Sequence, residues 1–330
     1  MTGLADPLVV KGYRIRNRIV LPPMATGLAG PDGEVTEPLL EHYRQRSQCT
    51  GMVIVEHAYV SLDGKANPRQ LGVWSDKLVP GLANLASTIK DNGALAVAQI
   101  NHAGGKADPK ATGTRPLAPS PVTVPGGHEA AREMTKEDLE RVLTAFVRAA
   151  ERVVKAGFDG VEVHGAHGFL LSEFLSPITN RRRDEYGGSL ENRMRFPLMV
   201  VKEVRRAIRG KLLLYRLGAD DRMKGGFTVR EAEVFAARLA EAGVDVIDVS
   251  GGLCGSRPPE LQGVQGYYVP LAERIKQVVD VPVIGVGGIR DPCFADRVVK
   301  EGRVDLVAVG RAQLEDPLWA CKALGIEQPV

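Results

Sequence analysis

The sequence predicts a single-domain α/β chain folded as a (β/α)8 TIM barrel, and three observations predict it. Eight short runs rich in Val and Ile recur along 330 residues. They are continuous rather than alternating, as expected of strands covered on both faces. Segments with helical spacing stand between them, and no low-complexity stretch or compositional break divides the chain, so one domain over 1–330 is expected.

In chain order the strand candidates are "RIVLPP" (18–23), "GMVIVEH" (51–57), "ALAVAQI" (94–100), "GVEVHG" (160–165), "LLLYRLG" (212–218), "VDVIDVS" (244–250), "VPVIGVG" (281–287) and "VDLVAVG" (304–310). "TEPLLEHYRQRS" follows the first as a helix and "DKLVPGLANLASTIKDNG" the second. "TKEDLERVLTAFVRAAERVVKAG" precedes the fourth, and its opening has the residues of an N-terminal cap with acids in the first turn. "ENRMRFPLMVVKEVRRAI", "TVREAEVFAARLAEAG" and "RDPCFADRVVKEG" follow the fourth, fifth and seventh. Gly93, Gly157, Gly243 and Gly302 each stand where a helix ends just before a strand. The segments 101–134 and 165–190 are longer than ordinary connections, and long connections in compact domains are usually functional.

Composition narrows the function. Hydrophobic residues make up 44% and charged residues 25%, with a net charge of +3. The densest basic run, "RRR" at 181–183, is followed at once by Asp184 and Glu185, so no nucleic-acid partner is expected. Cys49, Cys254, Cys293 and Cys321 form no CxxC pair, which argues against a disulfide framework or a metal cluster and for free buried thiols. No apolar stretch is long enough to span a bilayer, and "MTGLADPLVV" lacks the features of a signal peptide. A soluble cytoplasmic protein with no membrane partner is the expectation.

In this fold the strand C-termini build the site. Here they carry Glu56 and His57, Gln99, His164 and His167, Arg216, and Asp248 and Ser250. "GVGGIRDP" and "VGRAQLEDP" place glycines between a strand and a helix start, where backbone N–H groups can approach a phosphate, with Arg311 beside them. Either motif alone reads equally well as a tight turn; adjacent in the barrel, they favour phosphate. Gln99 and Arg216 interrupt apolar strands and must find polar partners, either in a network inside the barrel or on a flat heterocycle. A phosphate after the last two strands and a polar ring across the mouth describe a flavin mononucleotide. A metal held by His164, His167 and either Cys254 or Asp248 is disfavoured, because further ligands do not present themselves.

The stretch "HGAHGFLLSEFLSPITNRRRDEYGGSLENRMRF" resembles the signature of the Old Yellow Enzyme family of NADH:flavin oxidoreductases. The match runs through Ser176, Pro177, Asn180, an arginine at 181 or 183, Asp184, Tyr186, Gly187, Gly188, Ser189, Glu191, Asn192, Arg193, Arg195 and Phe196. "NRIVLPPMAT", "HAGGKA" and "GRVDLVAVGR" extend the similarity over nearly the whole chain, nearest to small bacterial ene-reductases and the FMN domain of 2,4-dienoyl-CoA reductase. The resemblance implies FMN as cofactor and NADPH or NADH as reductant. It implies that Pro23, Met24 and Ala25 line the flavin with His57 nearby. Gln99 would bind its pyrimidine edge, Arg216 would face N1 and C2=O, and Gly287, Gly288, Gly310 and Arg311 would hold the phosphate. His164 and His167 would grip a substrate carbonyl oxygen, stabilising the enolate formed when hydride reaches the β-carbon of an enone, enoate or enoyl thioester.

The sequence departs from that pattern at several positions facing the substrate. Phe169 stands where many members carry a proton-donating Tyr, Ala25 where many carry Cys or Thr, and Gly27 where some carry a substrate-binding Tyr. Thr26, Gly27, Phe169, Tyr267 and Tyr268 are the expected substrate-side residues. A slower ene-reductase is expected, its proton coming from water or from Tyr267 or Tyr268 on a mobile loop. Two other readings stand beside it: an amine demethylase or ketone desaturase, and a flavin-binding subunit of a larger complex. The dienoyl-CoA reductases continue past the point where this sequence ends in "ALGIEQPV". Electrons are therefore expected from NAD(P)H directly or from a separate partner, and a homo-oligomer is left open.

Overall fold

The computed structural model describes residues 2–326. The expected domain runs over 1–330; Met1 and residues 327–330, which end "ALGIEQPV", lie outside the described residues. Eight parallel strands close into a barrel. They are β1 (Ile19–Leu21), β2 (Met52–Tyr59), β3 (Leu95–Asn101), β4 (Gly160–Gly165), β5 (Leu212–Gly218), β6 (Val246–Ser250), β7 (Val283–Gly285) and β8 (Leu306–Ala308). Each lies within, or within two residues of, one of the apolar runs of the sequence, and β8 pairs with β1 to close the circle.

The helices form the outer ring: α1 (Glu37–Arg46), α2 (Val79–Asp91), α3 (Lys136–Lys155), α4 (Leu190–Ile208), α5 (Val229–Glu241), α6 (Val269–Lys276), α7 (Pro292–Lys300), α8 (Arg311–Glu315) and α9 (Trp319–Ala323). The "TKED" start of α3 is a capping box: Thr135 accepts from the Asp138 N–H, and Asp138 accepts from the Thr135 N–H. Gly93, Gly157, Gly243 and Gly302 have φ of 78°, 88°, 96° and 70°, the left-handed turn that ends a helix without a Cβ clash. The segments α6, α8 and α9 carry no long helical period, and the sequence pattern does not announce them.

Side-chain parity divides the core in two. Odd-numbered residues of β5 (Leu213, Tyr215, Leu217) point outward into the layer shared with the helices, together with Val53, Val55, Val161, Val163 and Val249. Even-numbered Leu212 and Leu214 fill the lumen with Val20, Met52, Ile54, Val97, Val246, Ile284 and Leu306. An antiparallel hairpin, Leu8–Val10 with Tyr13–Ile15, contributes Val10 and Ile15 to that same cluster and so plugs the N-terminal end of the barrel.

Two expectations are corrected. Cys49 and Cys321 are joined in a disulfide across 272 positions, leaving Cys254 half-buried and Cys293 exposed as the free thiols. Linear spacing cannot reveal that pair, because the fold brings the chain after α1 against α9. The signature arginine is Arg182, not Arg181 or Arg183. It is buried, its guanidinium bonded to Asp184 and to the carbonyls of Pro119 and Met134. No described helix is long and apolar enough to cross a membrane.

The end of β4 is packed tightly. A Cβ at Gly165 would fall on the hydroxyl and ring of Tyr215, a fully buried side chain of β5. Gly165→Ala is therefore expected to lower stability by about 1–3 kcal/mol in urea denaturation, by overpacking alone.

Candidate active site

The same parity that fills the lower lumen with aliphatic side chains puts polar ones in its upper layer. Stepping by two from Val97 reaches Gln99, from Gly160 Glu162 and His164, from Leu214 Arg216, and from Val246 Asp248 and Ser250. Strand β2 reaches the same mouth by a different device. Its register against β3 skips one residue between Val55 and Ala58, a bulge at Glu56 and His57. Bulges of this kind re-aim a side chain, and His57 lines the mouth while Glu56 stays beneath the β1 loop.

Beneath the mouth lies a buried charged layer. Arg216 Nε stands 3.2 Å from Asp248 Oδ2. Gln99 Nε2 donates to Glu162 Oε1 at 2.8 Å. Burial, then the charge of Asp248, drives the Glu162 carboxyl well above the ordinary carboxylate range, and burial raises Asp248 too, against the pull of Arg216.

Three histidines ring the cavity floor. His164 packs edge-on to His167 at 5.2 Å between ring centroids, and His57 lies 6.1 Å from His164. Burial and then the Arg216 charge push the His57 imidazole down to about 4. Burial pushes His164 and His167 well below their usual range as well, with neighbouring positive groups adding to it. All three are neutral at neutral pH, and for His164 and His57 the tautomer follows from the partner. The Ala166 N–H donates to His164 Nδ1 at 3.2 Å, so the proton sits on Nε2. Gln70 Oε1 accepts from the Ala66 N–H, which turns the Gln70 NH2 onto His57 Nδ1 at 2.9 Å and leaves Nε2 to carry the proton. His167 Nε2 meets Ser250 Oγ at 2.7 Å. Its backbone is left-handed, with φ 60°, and is held by its N–H on Gly251 O and by Lys106 Nζ on its own carbonyl.

These groups border one cavity of about 500 Å³. Pro23, Met24 and Ala25 line one wall, with Pro23 O accepting from Arg216 Nη1 at 3.4 Å. Gln99, His57, His164, His167, Phe169 and Arg216 line the floor. Gly287, Gly288, Gly310 and Arg311 lie together at the far end beside Tyr267. Two of the predicted residues are not brought in. Thr26 turns away, giving both its N–H and its hydroxyl to the Glu56 carboxylate, and Gly27 only makes the left-handed turn that follows. Tyr267 and Tyr268 do line the cavity, but not as mobile donors. The Tyr267 hydroxyl donates to Ser256 O at 2.8 Å and that of Tyr268 to Gly255 O at 2.6 Å, and burial raises both phenols. Lys106, of the "HAGGKA" segment, also lines the cavity, and nothing in its sequence context marks it as a site residue; its Nζ lies 5.8 Å from the Phe169 ring centroid.

The lining suits a flavin nucleotide. It includes Lys106, Arg216, Arg257, Arg290 and Arg311 and no Asp or Glu. Arg311 has no carboxylate within 4 Å among the described residues and is available to an anion. Gln99 has its NH2 committed to Glu162, which holds the plane of the amide at the floor. The two ends, cationic with glycines and flat with polar groups, match a phosphate and a heterocycle.

A closed parallel barrel with this mouth defines a flavin-dependent oxidoreductase. The profile of the NADH:flavin oxidoreductase / NADH oxidase family matches residues 3–325, and the chain belongs to that family, with FMN as cofactor and a nicotinamide as reductant. It is 45% identical over 316 residues to an NADH oxidase of Thermoanaerobacter brockii, covering 94% of this chain but only 48% of that protein. It is 40% identical to an NADPH dehydrogenase of Geobacillus sp. (strain WCH70), covering 98% and 95% of the two chains. The structure of the old yellow enzyme homologue from Zymomonas mobilis superposes with a TM-score of 0.86 at 28% identity, over 99% and 94% of the chains.

Glu56 supplies a pH test of the β1 loop. Burial raises its carboxyl to about 7, against the opposing hydrogen bonds from Thr26. The folded value lies above the unfolded one, so its contribution to stability is fully present below about pH 4.5 and is lost as pH rises through 7. Stability in urea should fall across that window in the native chain, and Glu56→Gln should remove that part of the slope.

Proposed function

We propose that the protein is an FMN-dependent ene-reductase that reduces a C=C bond activated by a carbonyl group, using NAD(P)H. The observation that carries this reading is the pair of neutral imidazoles, His164 and His167, at the floor of a cavity whose cations suit a flavin nucleotide. FMN, when bound, supplies the transfer of hydride from the nicotinamide to the β-carbon of the substrate.

The chain's own residues do the rest. His164 presents an Nε2–H to the cavity. When the Ser250 hydroxyl donates to His167 Nε2, the His167 proton sits on Nδ1 and becomes a second donor. Both can bind the carbonyl oxygen, where negative charge grows as the β-carbon accepts hydride, and neutral donors in a buried site do this with little reorganisation. Arg216 would hold the pyrimidine end of the flavin, where its charge would favour the reduced, anionic form. Gln99, its amide held by Glu162, would bind that edge. Arg311 and the glycines at 287, 288 and 310 would hold the phosphate. Pro23, Met24, Ala25 and His57 would wall the ring, and Phe169, tilted against His57 at 5.2 Å between ring centroids, would bound the substrate side.

Amine oxidation is the poorer fit, because the cavity lining has no carboxylate and three of its cations, Lys106, Arg257 and Arg311, have no described carboxylate within 4 Å. A flavin subunit serving a larger complex is separated from the proposal by direct assay. The purified protein should be yellow, be bleached by NADPH or NADH, and be reoxidised by 2-cyclohexenone. Removing one oxyanion donor usually costs roughly 10²–10³ in rate. His164→Ala and His167→Ala should each lose that much in the reoxidation step; reoxidation at the native rate in both would dismiss the assigned role.

A further inference from the structure

Reduction of an activated C=C bond is complete only when the α-carbon has taken a proton. Resting on the reading above, the question is which group in this cavity gives it. Phe169 has no proton to give. The hydroxyls of Tyr267 and Tyr268 are spent on main-chain oxygens. Of the other groups lining the cavity, Ser250 is engaged with His167, and the Ser256 hydroxyl and the arginines are far weaker acids than an ammonium, which leaves Lys106. Lys106 ends the short turn Gly104–Lys106 that follows β3 and lines the cavity with Phe169, His164 and His167.

We propose that Lys106 is the acid that protonates the substrate α-carbon. Its ammonium donates one hydrogen bond, to His167 O at 2.6 Å, and lies over the Phe169 ring at 5.8 Å from the centroid. An ammonium has three N–H bonds, and the other two have no acceptor among the described residues. No described carboxylate lies within 4 Å to hold it as a structural ion pair. The chain also leaves room for it. A Cβ at Gly168 would come within 3.1 Å of both Nζ and Cε, and one at Gly126 within 3.6 Å, and both glycines have positive φ, 69° and 77°.

Two groups facing Lys106, Glu173 and Cys254, favour keeping the proton on it, and burial outweighs them. Glu173 is itself fully buried and pushed well up by that burial. Burial raises the Cys254 thiol, and His164 and His167 are neutral. Burial also lowers the ammonium below the usual lysine range, which makes it a stronger acid. In the step, the Nζ–H bond breaks and a C–H bond forms at the α-carbon. The electron pair that reduces the C=C arrives with the hydride that NAD(P)H supplies through the flavin. Lys106 is half-buried, and its amine recovers the proton from water.

The test compares the native enzyme with Lys106→Met and Lys106→Arg, each loaded with FMN and reduced by NADPH. Two acceptors are used, 2-cyclohexenone and 1-nitrocyclohexene. The nitroalkene adduct is a stabilised nitronate that needs no proton on carbon. Removing a general acid costs roughly 10²–10⁴ in rate. Both variants should lose that much with the enone relative to the nitroalkene. Arginine keeps the charge but is far too weak an acid to replace lysine. In D2O the native enzyme should place deuterium on one face of the α-carbon, and Lys106→Met should give a mixture of faces. A readout independent of turnover is NMR titration of 13C-dimethylated lysines, where the Lys106 signal should titrate below the surface lysines.

An equal loss on both acceptors would mean that Lys106 only holds the His167 backbone, and would overturn the proposal. So would a Lys106→Arg enzyme that reduces the enone at the native rate, or a Lys106 signal that titrates with the surface lysines. Failure of the native enzyme on both acceptors would instead defeat the ene-reductase reading.

Discussion

The mouth of this barrel is organised around one buried cation. Arg216 sits at the level where the lumen changes from aliphatic to polar, paired with Asp248 below and bordering the cavity above. Its charge helps hold His57, His164 and His167 neutral. It reaches Pro23 O, which ties the β1 loop to the floor. Asp248 makes that cation tolerable, since a buried guanidinium without a counter-charge costs several kcal/mol. Glu162, its carboxyl raised by burial and by the charge of Asp248, fixes the Gln99 amide.

Neutral imidazoles follow from this arrangement, and backbone and amide donors place the proton of His164 and His57. A charged histidine would bind an anion tightly before the reaction as well as during it, and only binding that strengthens in the transition state accelerates a step. A neutral Nε2–H, fixed by a backbone donor on the opposite ring nitrogen, is a donor suited to an oxygen whose charge is still growing. The positive φ of His167 is the strain accepted to bring its ring edge-on to His164, and Lys106 and Gly251 hold that turn from two sides.

Much of this was readable in advance, for identifiable reasons. Strands buried on both faces need unbroken apolar runs, so all eight announced themselves, and helix-ending glycines marked the boundaries before β3, β4, β6 and β8. Polar interruptions in those runs marked the upper part of the barrel, with Gln99, His164 and Arg216 at the mouth and Glu162 and Asp248 buried beneath it. Short helices such as α6 were hidden, because eight residues give too few turns to show a period. The hydrogen bonds of Tyr267 and Tyr268 were hidden for another reason. A loop rich in glycine suggests mobility, but here the loop carbonyls of Gly255 and Ser256 capture both phenols. Thr26 likewise sat next to three cavity residues in sequence and was claimed by Glu56.

The sequence by itself determined the barrel, the end of it that carries chemistry, the family and the cofactor, because each depends on local pattern: strand composition, glycine turns and a long signature. Only the tertiary structure decided how those residues work. The bulge that turns His57 inward, the Cys49–Cys321 bond, the choice of Arg182 over its neighbours, the protonation of the histidines and the placement of Lys106 beside Phe169 all depend on groups distant in the chain. Electrostatics and hydrogen bonding act through space over a few ångströms, and linear spacing does not record which residues come that close.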